Sequence, residues 1–308
     1  MEFNELNLAE LDKDLTPEER DEWQAIYASY RSHSVMRGEA AGVDYHEFEF
    51  IPEGKKKSVK EKLRCVIVIL YRIKIIIPEP EMFLISVPDG GYVLHSMCGA
   101  KLDFVITHID RENDFAIASR KIALEKMQKA ANRRKLMDRV LDTDVVSVGR
   151  NVCVLNYCGY DVVLHQRDIN YTMVSDVREL VHPGEVRKAK VKEFIPEEGV
   201  LKLSMKETMP HPFEGVETRH PIGSTRIATV VGKYGGGVFC RLSDNVTDVL
   251  CSYDTMHYDG DFRLGDRVEI LIKRLNYEKK LVYGKMLRKW LNSVKELSHC
   301  ILFARNKF

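Results

Sequence analysis

Apolar and polar positions change period several times along the chain, and each change marks an element. At the start, Thr16-Pro17-Glu18-Glu19 has capping-box spacing with proline at the first helical position, and Trp23, Ile26, Tyr27 and Tyr30 follow three to four apart. This predicts a helix to about residue 32 whose apolar face docks on its own domain. From residue 35 the period drops to two, predicting strands at 35–44, 66–70, 73–77, 101–109 and 116–121, with a tight hairpin around Tyr71-Arg72 and a turn over 110–114. The polar stretch 45–62, with Lys55-Lys56-Lys57 after Gly54, reads as a long insertion at a loop tip. Helical spacing returns at 120–139, where Leu124, Met127 and Ala131 share one side and eight basic residues stand against two acidic ones. Such a helix suits a strut between two domains with its charges outward; gripping a phosphate backbone is the alternative use.

Two more sets of short strands follow. One comprises 144–148, 152–156, 161–165, 188–194 and 200–206, with a turn at 157–160 through Gly159. The other, the most regular, comprises 225–231, 238–242, 249–252, 268–275 and 281–285, with a charged turn at 276–280. Gly235-Gly236-Gly237 is expected to break its first strand by permitting positive φ. Five short strands with a longer connection after the third fit a five-stranded Greek-key barrel, the OB-fold. The fold class is therefore mainly β with helices: tandem five-stranded barrels, an N-terminal helix and an interdomain basic helix. The expected domains are an acidic N-terminal helical arm (1–34), a divergent barrel with a long loop insertion (35–122), a basic linking helix (123–143), a second OB-like domain (144–207), a linker (208–221), a third barrel (222–290) and a C-terminal helix and tail (291–308).

The third set carries a specific resemblance. Gly223 opening its first strand, Tyr234-Gly235 leading into Val238-Phe239, and the closing Gly265-Asp266-Arg267-Val268, Asn276 and Gly284-Lys285 resemble the RNA-binding motif named after ribosomal protein S-one. In the first set, Arg37-Gly38-Glu39 resembles an S-one first strand, and Ile77-Pro78-Glu79-Pro80-Glu81-Met82 is similar to the Ile-Pro-x-x-Glu-Met step of longer S-one proteins. Ala118-Ser119-Arg120-Lys121 and Leu203-Ser204-Met205-Lys206 resemble the Leu-Ser-x-Lys ending of these repeats, and the endings at Lys121, Lys206 and Lys285 are 85 and 79 residues apart, as tandem domains require. Lys206 to Phe213 is similar to the proline-containing lead into a following repeat. The resemblance covers roughly 35–290 and points to the shorter S-one type of Firmicute chromosomes and their phages or mobile elements.

The resemblance implies that aromatic side chains stack single-stranded bases while basic ones meet the backbone. The candidates are Tyr234 and Phe239 with Lys233, Arg241, Lys273 and Arg274; weaker ones are Tyr71, Tyr157, Tyr160, Arg133 and Arg134, with Tyr45 beside them. Two positions depart from the family pattern in ways expected to weaken base contacts: Cys251 stands where His is frequent, and Asn276 where Asp is frequent. Each stacked base is worth ~1–3 kcal/mol and tolerates any sequence.

Charge and composition narrow the function. The net charge of +1 hides a split, with 14 acidic and 4 basic residues in 1–53 against 43 basic and 32 acidic after it. A polyanion is drawn to the later domains. Seven cysteines, none in a C-x-x-C pair, read as reduced thiols, and Cys153 and Cys158 lack the second pair that a metal site needs. The longest apolar run, 65–77, is broken by Arg72 and Lys74 and is too short to span a bilayer; the start of the chain shows no leader pattern, so a cytoplasmic location without membrane contact is expected. The glycines at 235–237 lack a P-loop order, and neither H-E-x-x-H nor G-x-S-x-G occurs. No catalytic residue, metal or cofactor is expected. The expected partner is single-stranded RNA, with a ribosome or protein partner at the N-terminal helix. The alternatives are single-stranded DNA or a protein-binding scaffold.

Overall fold

The computed structural model describes residues 15–50, 59–84, 90–172, 174, 176–253 and 259–290. It falls into two compact units, Met1–Ile169 with Val174–Thr208, and Asn170–Met173 with Met209–Phe308. In the first unit the helix α1 (Pro17–Ser32) begins as its capping box dictates: Thr16 Oγ1 accepts from the Glu19 amide at 3.3 Å and the Glu19 carboxylate accepts from the Thr16 amide at 2.9 Å. Trp23, Ile26 and Tyr27 enter the core beside Phe104 and Ile106, whereas Tyr30 stays exposed and Ser29 takes its place on the buried face. The apolar stripe of α1 is thus used internally.

Strands β1 (Met36–Phe50), β2 (Val59–Leu70), β3 (Ile73–Pro78), β4 (Lys101–Asp110) and β5 (Phe115–Ser119) close a barrel in the order β1-β2-β3-β5-β4. Its β2–β3 hairpin turns on Tyr71 and Arg72, both left-handed (φ 52° and 63°), which matches the right-handed strand twist. Two expectations need correcting. The polar stretch 45–62 is largely a two-stranded ribbon, paired from Tyr45↔Arg64 to Phe50↔Val59. Heavy charge hid its two-residue period, and only 51–58 lies outside the described residues. In addition, a short helix α2 (Gly90–His95) occupies the connection before β4, where none was expected.

The basic helix is α3 (Arg120–Ala131), shorter than the expected 123–143. Ser119 caps it by accepting from the Ile122 amide at 3.1 Å. Beyond Asn132 nothing apolar recurs at helical spacing until Leu136, and by Val140 the chain is already in β6. Nor are all the charges outward. Arg120 is 1% exposed; its guanidinium donates to Met82 O at 2.9 Å and to both Asp161 oxygens at 2.7 Å. The Ile-Pro-x-x-Glu-Met step has the same logic: Met82 is fully buried, and Glu81 accepts from the Ser119 hydroxyl.

The second repeat, β6 (Val140–Val148), β7 (Val152–Tyr157), β8 (Tyr160–His165), β9 (Val186–Ile195) and β10 (Val200–Ser204), keeps the strand sequence as a five-stranded sheet, β10-β9-β6-β7-β8. Among the described residues no ladder joins β8 to β10, where the other repeats close. It is fastened to the first barrel by Arg37, whose guanidinium donates to Asp103 at 2.8 Å and to Asp144 at 2.9 Å. The two repeats also meet at Gly184, where a Cβ would lie 2.2 Å from Gly99 O.

In the second unit β11 (Thr225–Tyr234), β12 (Gly237–Leu242), β13 (Asp248–Ser252), β14 (Arg267–Asn276) and β15 (Leu281–Lys289) close in the order β11-β12-β13-β15-β14. Val230, Val238, Cys240, Cys251, Ile270 and Met286 fill the inside, with Phe262 of the β13–β14 connection fully buried among them. Gly235, Gly236 and Gly237 do not adopt positive φ. What demands glycine is close approach at Gly237, where a Cβ would lie 2.1 Å from Cys251 O. The lead-in segment packs Phe213 edge-to-face on Tyr277, centroids 5.4 Å apart. His220 Nε2 lies 2.9 Å from Asp244 Oδ2. The C-terminal helix expected after residue 290 lies outside the described residues.

Candidate nucleic-acid interface

Register explains how the third barrel assembles a surface. Gly232 pairs with Phe239, Phe239 with Leu250, Leu250 with Tyr283, and Tyr283 with Arg274. The strand neighbours of Phe239, Leu250 and Tyr283, namely Val238, Cys240, Val249, Cys251, Val282 and Gly284, are buried. The row therefore runs outward across all five strands, at ~4.8 Å per strand. Phe239 is 37% exposed and Tyr234 41% exposed, with ring centroids 5.6 Å apart and planes at 51°. Tyr234 reaches over Gly237, whose absent Cβ would lie 2.8 Å from the Tyr234 hydroxyl. At the far end the Arg274 guanidinium sits 4.6 Å from the Tyr283 ring centroid. The arrangement offers apolar faces for stacking, bordered by exposed Lys233 and Lys273.

Of the six main candidates, Tyr234, Phe239 and Arg274 belong to this row or lie against it. Arg241 is committed elsewhere: Nε and Nη2 donate to Asp248 Oδ1 and Oδ2 at 2.9 and 3.2 Å. Tyr283 and Leu250 were missed. Alternation alone puts Leu281, Tyr283 and Lys285 on one face of β15, but only the parallel β13–β15 ladder shows which face that is. The two departures from the family pattern are structural. Cys251 points into the barrel, fully buried, where hydrogen bonding with Cys240 and burial push its thiol pKa up. Asn276 Oδ1 accepts from the Lys279 amide at 2.9 Å and so fixes the β14–β15 turn.

The weaker candidates fare differently. Tyr160 must be withdrawn. It is 3% exposed, edge-to-face with Phe194, and its hydroxyl donates to Asn132; burial raises its pKa. The polar alternates Asp161 and His165 already placed Tyr160, Val162 and Leu164 on the inner face. Tyr157 is half-buried at the hairpin end, and Arg134 bonds to it and to Cys158, which raises the Arg134 pKa. Arg133 is exposed on the turn after α3, and Tyr71 is exposed on a hairpin turn, away from any row of this kind. Burial pushes Cys153 up to about 12, as suits an inert thiol.

Equivalent rows exist in the other repeats, because each has a register shift at the same two places. In the first barrel the row is Gly42, Ile67, Ile76, Ile117 and His108, with Asp44 at the position of Tyr234. In the second repeat Ser147, Val154 and Val163 match Gly232, Phe239 and Leu250, while Lys202 and Glu193, paired at 2.5 Å, match Tyr283 and Arg274. Neither row carries a Phe, Tyr or Trp. Among the described residues no three His, Cys, Asp or Glu side chains gather as a metal-ligand set, and no helix is long and apolar enough to cross a membrane.

No protein-family model matches the chain. It is 23% identical over 252 residues to the 4-hydroxy-3-methylbut-2-enyl diphosphate reductase of Clostridium tetani, covering 77% of this chain and 39% of that protein. To small ribosomal subunit protein bS1 of Staphylococcus epidermidis it is 27% identical over 154 residues, 48% of this chain and 39% of that protein. To the bS1 protein of Coxiella burnetii it is 21% identical over 223 residues, 69% of this chain and 40% of that protein. The chain thus spans about two-fifths of the length of these relatives.

Proposed function

We propose that this chain, an S-one-like tandem OB-fold protein, binds single-stranded RNA on the third barrel and performs no catalysis. The observation that carries the reading is the outward row Phe239–Leu250–Tyr283, extended by Tyr234 and closed by Arg274. Unstacked bases lie on the rings, at ~1–3 kcal/mol per base. Lys233, Lys273 and Arg274 neutralise phosphates, so affinity falls by roughly 0.7 log units per contact for each decade of salt. The relatives named as small-subunit ribosomal proteins support association with a ribosome or another RNA assembly. The reductase name belongs to a protein of which this chain spans 39%. The row is a platform for rings, and this supports binding as its role.

The test is fluorescence anisotropy of labelled RNA and DNA of equal sequence across a salt series, on the wild type and on Tyr234→Ala/Phe239→Ala. We expect salt-sensitive RNA binding that the double variant loses. Binding indifferent to the double variant overturns the site. DNA bound as well as RNA would mean that stacking alone is read, without the 2′-hydroxyl.

A further inference from the structure

The second repeat has no rings on its outer row, yet it has a cleft. A cavity of about 440 Å³ lies on that face within the first unit. Its floor is Val152, Val154 and Val163, the outward side chains of β7 and β8. Phe83, Tyr92 and Met97, from the connection between β3 and β4, form a wall. An apolar cleft of this size with few polar groups is the usual form of a small-ligand site.

Three of those polar groups, Ser147, Gln128 and Asp161, offer acceptors. Ser96 and Ser147 hydroxyls lie 2.6 Å apart, and since Ser96 donates to Val93 O at 2.7 Å, the shared proton is that of Ser147. Ser147 Oγ is left only with lone pairs to offer. Gln128 donates one amide proton to Gly159 O at 2.9 Å, and its carbonyl oxygen is a further acceptor. Asp161 accepts from Arg120 and Asn156, so it has acceptor capacity and no proton to give, and Arg120 balances its charge. The cleft therefore presents acceptors around an apolar slot, and Arg120, behind Asp161, is already committed.

We infer that this cleft binds a nucleobase bearing an exocyclic amino group, held flat between the valine floor and the Phe83–Tyr92 wall, its N–H edge turned to Ser147, Gln128 and Asp161. In the third barrel the protein supplies the ring at the Phe239 position; here Val154 leaves that space for a ring from the ligand. Adenine and cytosine bring a donor to the acceptor rim. Uracil lacks the amino group and sets two carbonyl oxygens against it, one on either side of its single N3–H. The same chemistry reaches the cleft as a free nucleoside or as an unstacked base of a strand.

The experiment is calorimetric titration of the full chain carrying Phe239→Ala/Tyr283→Ala, so that its result is separate from the fate of the third-barrel reading. Adenosine, cytidine and uridine are titrated singly, then oligoadenylate. Adenosine and cytidine are expected to bind about tenfold more tightly than uridine, the difference of one or two hydrogen bonds. Val163→Trp, at an exposed position where an indole is tolerated, is expected to fill the slot and abolish binding, and Tyr92→Ala to weaken it, with the unfolding midpoint unchanged in both. Strand binding that disappears with Val163→Trp assigns the source to RNA; nucleoside binding without strand binding assigns it to a free metabolite. Absence of nucleoside binding at millimolar concentration, uridine binding as tightly as adenosine, or indifference to Val163→Trp overturns the proposal.

Discussion

The first and third barrels are built on one plan and differ in what stands on it. Both have the strand order 1-2-3-5-4 and a parallel ladder between their third and fifth strands, and both shift register in strand one and again in strand four. On the outer row the third barrel has Phe239, Leu250, Tyr283 and Arg274 where the first has Ile67, Ile76, Ile117 and His108. Hairpin length matters as much as composition. The third barrel turns directly after Tyr234↔Gly237, and its rings stay exposed. The first continues past the equivalent pair, Asp44↔Cys65, to Phe50↔Val59. Residues of that ribbon touch outward side chains of the same barrel: Asp44 reaches Lys74 at 4.0 Å, and His46 meets Phe115 edge-to-face at 5.0 Å. Ile76, on the same face, is 1% exposed. A hairpin that stops early exposes the face, and one that runs on occupies it.

The largest expected effect comes from making the third row like the first. Phe239→Ile with Tyr283→Ile removes two stacking contacts, about 2–6 kcal/mol of RNA affinity, while the unit 2 melting midpoint moves little because both side chains face outward. Anisotropy and calorimetry measure the two quantities. Ile67→Phe with Ile117→Tyr in the first barrel is expected to add no RNA binding; a gain there would break the argument from the ribbon.

Next is Arg120→Met, which strands Asp161 and cuts the bond to Met82 O. Removing one partner of a buried pair costs about 3–5 kcal/mol, and the lower end applies because Asp161 keeps Asn156 and some solvent. Denaturant unfolding should show the unit 1 transition weakened and that of unit 2 unchanged.

Gly237→Ala should cost about 1–3 kcal/mol in the third barrel, since the new methyl meets Cys251 O and the seat of Tyr234. RNA affinity falls several-fold with it. Gly235→Ala, with nothing within 4 Å of its Cβ, is the matched control and should be near neutral.

The smallest effect is a pH dependence. Burial opposes the charge of Asp244, but bonds from the Thr247 hydroxyl, His220 and the Thr247 and Val246 amides outweigh it and hold its pKa down to about 2. This stabilisation of the third barrel is complete above the ordinary carboxylate value near 4 and is lost as pH falls toward 2. Melting of unit 2 between pH 5 and pH 2 should show the loss, and Asp244→Asn should reduce it, the part due to Asp266 remaining. An equal slope in Asp244→Asn would remove Asp244 as its cause.

Much of this was legible along the chain, because a half-buried strand must alternate and a helix must recur at three to four. The capping box, the Trp23–Ile26–Tyr27 stripe, the turn at Tyr71-Arg72 and all five strands of the third barrel follow from such local rules. The 45–62 ribbon did not, because both of its faces carry charge and the period is lost in polarity. The end of α3 was overrun for a related reason: a basic composition reads as helix long after the apolar stripe has ended.

By itself, then, the sequence determined which residues share a face in most strands, where chains turn, and that the repeats share one plan, since these depend on neighbours a few positions away. Tertiary structure alone decided which outward residues meet. Phe239 and Tyr283 are 44 positions apart and join only through Leu250 and a parallel ladder. Arg241 found Asp248 on the next strand, Cys251 turned into the core, and the valines of the second repeat acquired a wall from the connection of the first. Binding surfaces are made of contacts between strands, and those exist only once the barrels have closed.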